Sequence, residues 1–332
     1  MSIKTICIYG AGALGGAIAA KLASQAGNEV SVVARGAHLD AIRGNGLSLR
    51  EAGADRPLNV HVTATDDPRT LPPQDLVITG LKGHQLAPAA EGIASLLKDG
   101  TRVIMILNGI PWWYFHRDTQ SRHAELQFDE LDPGGRLWRL IGPERIIGCV
   151  AYQGAEVVNP GDIQLANKGR FVLGEPSDEI STDLEAIAAL LTGAGLNIVT
   201  TPAIRDEIWN KLMGNAAFNP ISALTRALMA NIMEDPALAA TVGKVMNEVR
   251  TVGEAVGARF NITVEQRLEQ SRNMGAVRTS MLQDLLGGKA LEITPLVGMV
   301  VALGRLTAVP TPVSETILAL VMQLDRENQR NS

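Results

Sequence analysis

The stretch that most constrains this chain is its opening, "IKTICIYGAGALGGAIAAKLASQAGNEVSVVAR". Residues 3–9 form an apolar, β-branched run, 13–26 carry a helical Ala/Leu pattern, and 29–34 read as a second strand. Between the first strand and the helix, Gly10, Gly12 and Gly15 spell G-x-G-x-x-G. In that setting the first glycine permits a tight turn, the second lets the backbone approach a pyrophosphate, and the third brings helix and strand together. Ala11, Ala13 and Leu14 complete a turn whose backbone N–H groups, at a helix N-terminus, suit phosphate oxygens. The order strand, turn, helix, strand predicts a dinucleotide site over Gly10–Gly15; a glycine turn used only for packing is the alternative.

The second strand ends in Arg35, 20 residues past Gly15. A carboxylate at that place would grip the ribose hydroxyls and suit NAD. A guanidinium instead suits a 2′-phosphate, to which it can donate two charge-assisted hydrogen bonds. Arg35 therefore points to NADPH/NADP as cofactor, against the alternative of a solvated surface arginine.

Strand and helix signals continue to alternate through "DLVITGLK" (75–82), a helical 86–97 and "TRVIMILNG" (101–109). Such alternation implies right-handed βαβ units and a parallel sheet. After about residue 200 the pattern turns to long Ala/Leu/Met-rich helices, roughly 203–218, 222–231, 236–257, 263–286 and 295–308. The expected fold class is α/β: a Rossmann-type parallel-sheet domain over 1–200, then an all-helical domain over 201–332. With 332 residues the chain is long enough for two cores. A net charge of −5 argues against a nucleic-acid or membrane surface. No apolar run near the N-terminus has the length of a signal peptide or span. The two cysteines, Cys7 and Cys149, lie in apolar runs and suit a reducing cytoplasm. Five histidines show no metal-ligand spacing, so no metal site is expected.

In "DEIWNKLMGNAAFNPISALT", Lys211, Asn215 and Asn219 fall at i, i+4 and i+8. That spacing lines one helix face, and the neighbours Leu212, Met213, Ala216, Ala217 and Phe218 are apolar. A lysine and two amides on a largely buried surface cost free energy unless they meet a polar ligand. Alternatively Asn219 begins a turn at Pro220 and Lys211 reaches water.

Together "GAGALGG", "LKGHQ", "LNG", "WNKLMGNAAFNPISALT" and "SMLQDLLGGKALEIT" resemble the ketopantoate reductases (2-dehydropantoate 2-reductases) over nearly the whole chain. The resemblance implies a Rossmann domain, an all-helical domain, an active-site cleft between them, and reduction of ketopantoate to pantoate with NADPH on the route to pantothenate and coenzyme A. It implies that Lys211 is the general acid toward the substrate carbonyl, that Asn215 and Asn219 are substrate-binding amides, and that Ser280 contacts the substrate. Glu292, twelve residues after Ser280, matches an essential glutamate near substrate and cofactor. Asn108 matches an asparagine touching both, and Lys82 a lysine of the cofactor site. Glu292 is otherwise an exposed residue preceding a helix start at Thr294–Pro295, where Thr would cap and Pro suit the first turn.

The aromatic run Trp112, Trp113, Tyr114 and Phe115 is longer than this family needs and opens the aperiodic segment 111–140. It either walls the substrate mouth, which would favour a 2-oxo acid bulkier than ketopantoate, or packs against the helical domain or a second subunit. A homodimer is compatible with the long apolar helices. Two other functions fit the chain less closely: a related reductase of another 2-oxo acid, and a nucleotide-sensing protein without turnover. The partner expected is a small-molecule 2-oxo acid, with neither nucleic acid nor membrane.

Overall fold

A strand with apolar residues on both faces belongs in the interior of a sheet covered on both sides. β1 (Thr5–Tyr9), with four of its five residues buried, meets that description. In the computed structural model, which describes residues 3–330, it lies between β2 (Glu29–Val33) and β6 (Leu76–Thr79). The eight-stranded sheet adds β5 (Thr63–Thr65), β7 (Arg102–Ile106), β8 (Ile146–Tyr152), β11 (Arg170–Gly174) and β12 (Ile198–Thr200). Its order is β12-β11-β8-β7-β6-β1-β2-β5, parallel throughout except where β11 runs antiparallel to β8. A smaller sheet, absent from the sequence reading, is ordered β4-β3-β10-β9: β3 (Leu47–Arg50), β4 (Leu58–Val60), β9 (Ala155–Asn159) and β10 (Asp162–Leu165).

α1 (Ala13–Ala23) touches strands of both sheets, which is why Gly15–Leu22 are buried all round it. Gly16, the glycine following the motif, has a packing role: a Cβ there would strike Ile163 of β10. The remaining helices of this unit are α2 (Gly36–Asn45), α3 (Gly83–Ala94), α4 (Arg136–Leu140) and α5 (Thr182–Gly193).

The chain divides into two compact units, the second comprising Arg205–Ser332 with the short segments 108–111 and 118–124. It contains α6 (Ile204–Thr225), α7 (Met229–Glu234), α8 (Pro236–Ala255), α9 (Val264–Arg272), α10 (Ser280–Leu286), α11 (Met299–Thr307) and α12 (Pro312–Arg330). Val242, Val245, Met246, Val249 and Val252 give α8 a buried stripe at helical spacing. Trp209 of α6 is fully buried and meets Phe260 edge-on, with ring centroids 6.4 Å apart. The Glu248 carboxylate accepts hydrogen bonds from the N–H groups of Val313 (2.9 Å) and Ser314 (2.8 Å), capping α12. Among the described residues no helix is long and apolar enough to cross a membrane.

Two expectations about elements need correction. α6 does not stop at Asn219–Pro220 but runs through Pro220 to Thr225, because Asn219, Ile221 and Ser222 are buried and tertiary packing outweighs the missing N–H. The single helix expected over 263–286 is two, each with its own threonine cap, Thr263 and Thr279. The aromatic run does not stand exposed: Trp112, Trp113, Tyr114 and Phe115 are each at most 4% exposed and lie in the sheet unit. Trp112 Nε1–H donates to Met105 Sδ of β7 at 3.2 Å, and the Trp113 ring fills the space a side chain at Gly148 of β8 would need.

Candidate functional site

In the sheet unit the glycine turn joins the carboxyl end of β1 to α1. Gly10 takes φ +95°, and its N–H and that of Ala11 donate to the Val33 carbonyl at 3.0 and 3.3 Å. On the other flank the Gly80 N–H donates to the Tyr9 carbonyl at 2.9 Å. The turn thus sits at the carboxyl ends of β1, β2 and β6, where strand order reverses and α/β sheets place their ligands. Gly15 is required by packing, since a Cβ there would collide with the Gly10 carbonyl. Gly12 is different: beyond its own chain neighbours no heavy atom lies within 4 Å of the place its Cβ would occupy, so packing does not demand a glycine there. Gly12 caps α1, and the N–H groups of Ala13, Leu14 and Gly15 lie in its first turn, where helices have no partners of their own.

A cleft of about 380 Å³ opens beside this turn. Its walls include Tyr9–Gly12, Val33, Ala34, Arg35, His38, Gly80, Leu81, His84 and Gln85. Arg35 is exposed and stands at the start of α2. Burial raises the Tyr9 phenol above its ordinary value, an effect the Arg35 charge opposes. Lys82 stands half-buried at the start of α3, where its N–H donates to the Gln85 amide oxygen at 2.9 Å. The wall passes on either side of Lys82, through Leu81 and His84. Burial pushes the Cys7 thiol of β1 up to about 12, with a Ser31 hydrogen bond opposing, so Cys7 is an inert core residue.

In the helical unit, Lys211 and Asn215 are half-buried and Asn219 is 5% exposed, a polar stripe among buried apolar neighbours. Lys211 Nζ donates to Asn108 Oδ1 at 2.7 Å. The loop carrying Asn108 is fastened by the Ile110 N–H, which donates to the Pro295 carbonyl at 2.8 Å. Gly109 takes φ +78°, and a Cβ there would fall on that carbonyl. Asn219 Nδ2 lies 3.4 Å from Ser280 Oγ, on the first turn of α10. Glu292 is half-buried, three residues before Pro295, and the turn after it is not capped by Thr294. The unit therefore brings Lys211 to Asn108, Asn219 to Ser280, and the Glu292 segment to the Asn108 loop. An ammonium, two amides and a hydroxyl can together bind carboxylate, carbonyl and hydroxyl oxygens, and the ammonium can give up a proton.

The profile described as "Ketopantoate reductase PanE/ApbA" matches residues 6–178, and "Ketopantoate reductase PanE/ApbA C terminal" matches 203–325. A 2-dehydropantoate 2-reductase of Mesorhizobium japonicum is 45% identical over 96% of this chain and 97% of its own length. The chain belongs to the ketopantoate reductase family. Among solved structures, a Ralstonia solanacearum protein provisionally assigned to the ketopantoate reductases aligns with TM-score 0.92 and 39% identity, covering 98% of this chain and 99% of that one. A Geobacter metallireducens 2-dehydropantoate 2-reductase aligns with TM-score 0.83 and 30% identity over 96% of this chain and 99% of that one.

For this family member, sequence reasoning passed over His38, His84 and Gln85 as residues of the cleft. His38 had a legible signal: it follows Arg35 by three residues at a helix start, so the two share a face. His84 and Gln85 stand next to Lys82 in "LKGHQ" but needed the placement of α3 to be seen.

Proposed function

We propose that this protein reduces 2-dehydropantoate (ketopantoate) to pantoate with NADPH. The observation that carries the reading is the Lys211–Asn108 pair, a half-buried ammonium held 2.7 Å from an amide oxygen on a stripe that continues through Asn215 to Asn219 and Ser280. The donor set suits the cofactor: the first-turn N–H groups from Gly12 to Gly15 for the pyrophosphate, the empty space beside Gly12 for its approach, and the Arg35 guanidinium for a 2′-phosphate. Lys82, Asn108 and Glu292 complete the cofactor contacts in this reading. When bound, NADPH supplies the hydride that adds to the ketone carbon. As charge builds on the ketone oxygen, the Lys211 ammonium stabilises it and transfers a proton, leaving the alcohol and a neutral amine. General-acid assistance of this kind contributes about 10²–10⁴ in rate. Asn108 holds the lysine in place. Asn215, Asn219 and Ser280 bind carboxylate and hydroxyl oxygens without adding charge, and Glu292 orients substrate or lysine.

A bulkier 2-oxo acid was suggested by the aromatic run, and that support weakens with all four side chains buried, Trp112 against β7 and Trp113 against β8. The test follows NADPH oxidation with ketopantoate and a panel of larger 2-oxo acids, with NADH alongside. Ketopantoate is expected to give the highest kcat/KM, with NADPH preferred. Tight NADPH binding without oxidation by any acid would replace this reading with a nucleotide sensor.

A further inference from the structure

His38 is the third residue of α2 and bridges two backbone groups that lie far apart in the chain. Its Nδ1 accepts the N–H of Gly161 at 3.0 Å, in the turn between β9 and β10. Its Nε2 lies 2.7 Å from the carbonyl oxygen of Ala11, inside the glycine turn. A ring nitrogen that accepts an N–H must carry a lone pair, so the hydrogen of the neutral imidazole is on Nε2 and is donated to Ala11. Gly161 is itself clamped: it takes φ +82°, its carbonyl accepts the Ser48 N–H of β3 at 2.9 Å, and a Cβ on it would sit 3.3 Å from Cβ of Ala41. The imidazole is thus fixed from the small-sheet side and holds the phosphate turn from the other.

What it holds is a peptide plane. Across a trans peptide the Ala11 carbonyl and the Gly12 N–H point in opposite directions. Tying the carbonyl to His38 therefore turns the Gly12 N–H away from it, and Gly12 itself lines the cleft. A peptide in such a glycine turn can flip at little steric cost, since glycine accepts either sign of φ. An imidazole donor on one side removes that freedom before any ligand arrives.

We infer that His38 is a positioning residue for the dinucleotide: in its neutral Nε2–H form it locks the Ala11–Gly12 peptide with its N–H presented to the pyrophosphate. This rests on the reading that the dinucleotide occupies the cleft at Gly12. Because Arg35 begins the same helix, α2 then organises two charged groups of the cofactor, the 2′-phosphate through a guanidinium and the pyrophosphate through the turn.

Two near-isosteric variants separate the role from mere packing. His38→Gln keeps a donor near the Nε2 position, toward Ala11. His38→Asn keeps an acceptor near the Nδ1 position, toward Gly161. Each loses one of the two hydrogen bonds, so their thermal stabilities should fall together, whereas cofactor affinity should not. NADPH affinity is expected to be about three- to tenfold weaker in His38→Asn than in His38→Gln, the worth of one hydrogen bond, with the loss falling on the KM for NADPH more than on kcat. Equal NADPH affinities in the two variants would overturn the inference. ¹⁵N-edited NMR of the wild-type imidazole gives a reading that does not depend on either variant folding: an Nε2–H tautomer near neutral pH supports the role, and an Nδ1–H tautomer or an imidazolium overturns it. If wild-type protein bound no NADPH, the cofactor reading would fail, while the tautomer would still report on the bridge.

Discussion

α1 and α6 each present polar groups to a place where a ligand could sit, but with different parts of the chain. The first turn of α1 carries only glycine, alanine and leucine, and what it offers is backbone N–H. α6 offers side chains, Lys211, Asn215 and Asn219, from the middle of a 22-residue helix rather than from its end. A backbone site is specified by the side chains it must lack, and a side-chain site by the period at which polar residues recur. Substitutions should therefore act on different quantities in the two helices.

The largest effect belongs to the side-chain site. Lys211→Ala is expected to lower kcat by about 10²–10⁴ while titration still shows NADPH bound; full turnover would remove the lysine from the chemistry and dissolve the comparison. Next comes Arg35→Asp, which should erase a preference for NADPH over NADH of about tenfold to a hundredfold, read as the ratio of kcat/KM values. An unchanged ratio would return Arg35 to the solvated surface.

A third pair sharpens the contrast within the turn itself. Gly15→Ala forces a Cβ against the Gly10 carbonyl and should lower stability by about 1–3 kcal/mol together with cofactor affinity. Gly12→Ala meets no protein atom, so its melting temperature should stay near wild type while NADPH binding weakens. Wild-type affinity in Gly12→Ala would show that the open space is not where the pyrophosphate lies.

The last effect, which leaves the ligand sites untouched, concerns the opposite ends of the same strands. Asp75 Oδ2 accepts the N–H groups of Lys4 (2.9 Å) and Thr5 (3.0 Å), and Oδ1 pairs with Lys98 at 2.7 Å. Burial works to raise this carboxyl, but Lys98 and these N–H donors outweigh it and hold it below the usual carboxylate range. Its stabilisation is complete above the unfolded value near ~4 and is lost as pH falls through the lower folded value. Asp75→Asn should cost about 2 kcal/mol at neutral pH and flatten the acid limb of the stability curve below about pH 4, measured by thermal melts across pH. An unchanged acid limb would mean that other carboxylates set it.

The two helices were also legible in different degrees. The turn could be read almost completely, because the positive φ at Gly10 and the close approach at Gly15 suit only glycine, and the motif sits between short, apolar strands. On α6 the i, i+4, i+8 spacing exposed the stripe, yet Asn219–Pro220 reads locally as a stop. Only the burial of Asn219, Ile221 and Ser222 shows why the helix continues. The partners Asn108 and Ser280 lie 103 and 61 residues from the side chains they meet, beyond the reach of any local pattern. The same holds for the small sheet, whose parallel β3–β10 pairing joins segments more than a hundred residues apart. The four consecutive aromatics show no period because they pack from a loop, each against a different strand or ring.

The placement of the tryptophans gives the molecule a built-in pair of optical reporters. Trp112, Trp113 and Trp138 belong to the sheet unit, and Trp209 is the sole indole of the helical one. A protein stripped of the first three would emit from the helical unit alone, and one stripped of Trp209 from the sheet unit alone. Comparing the emission of the two during unfolding, with and without NADPH, would show whether the cofactor steadies one lobe or both.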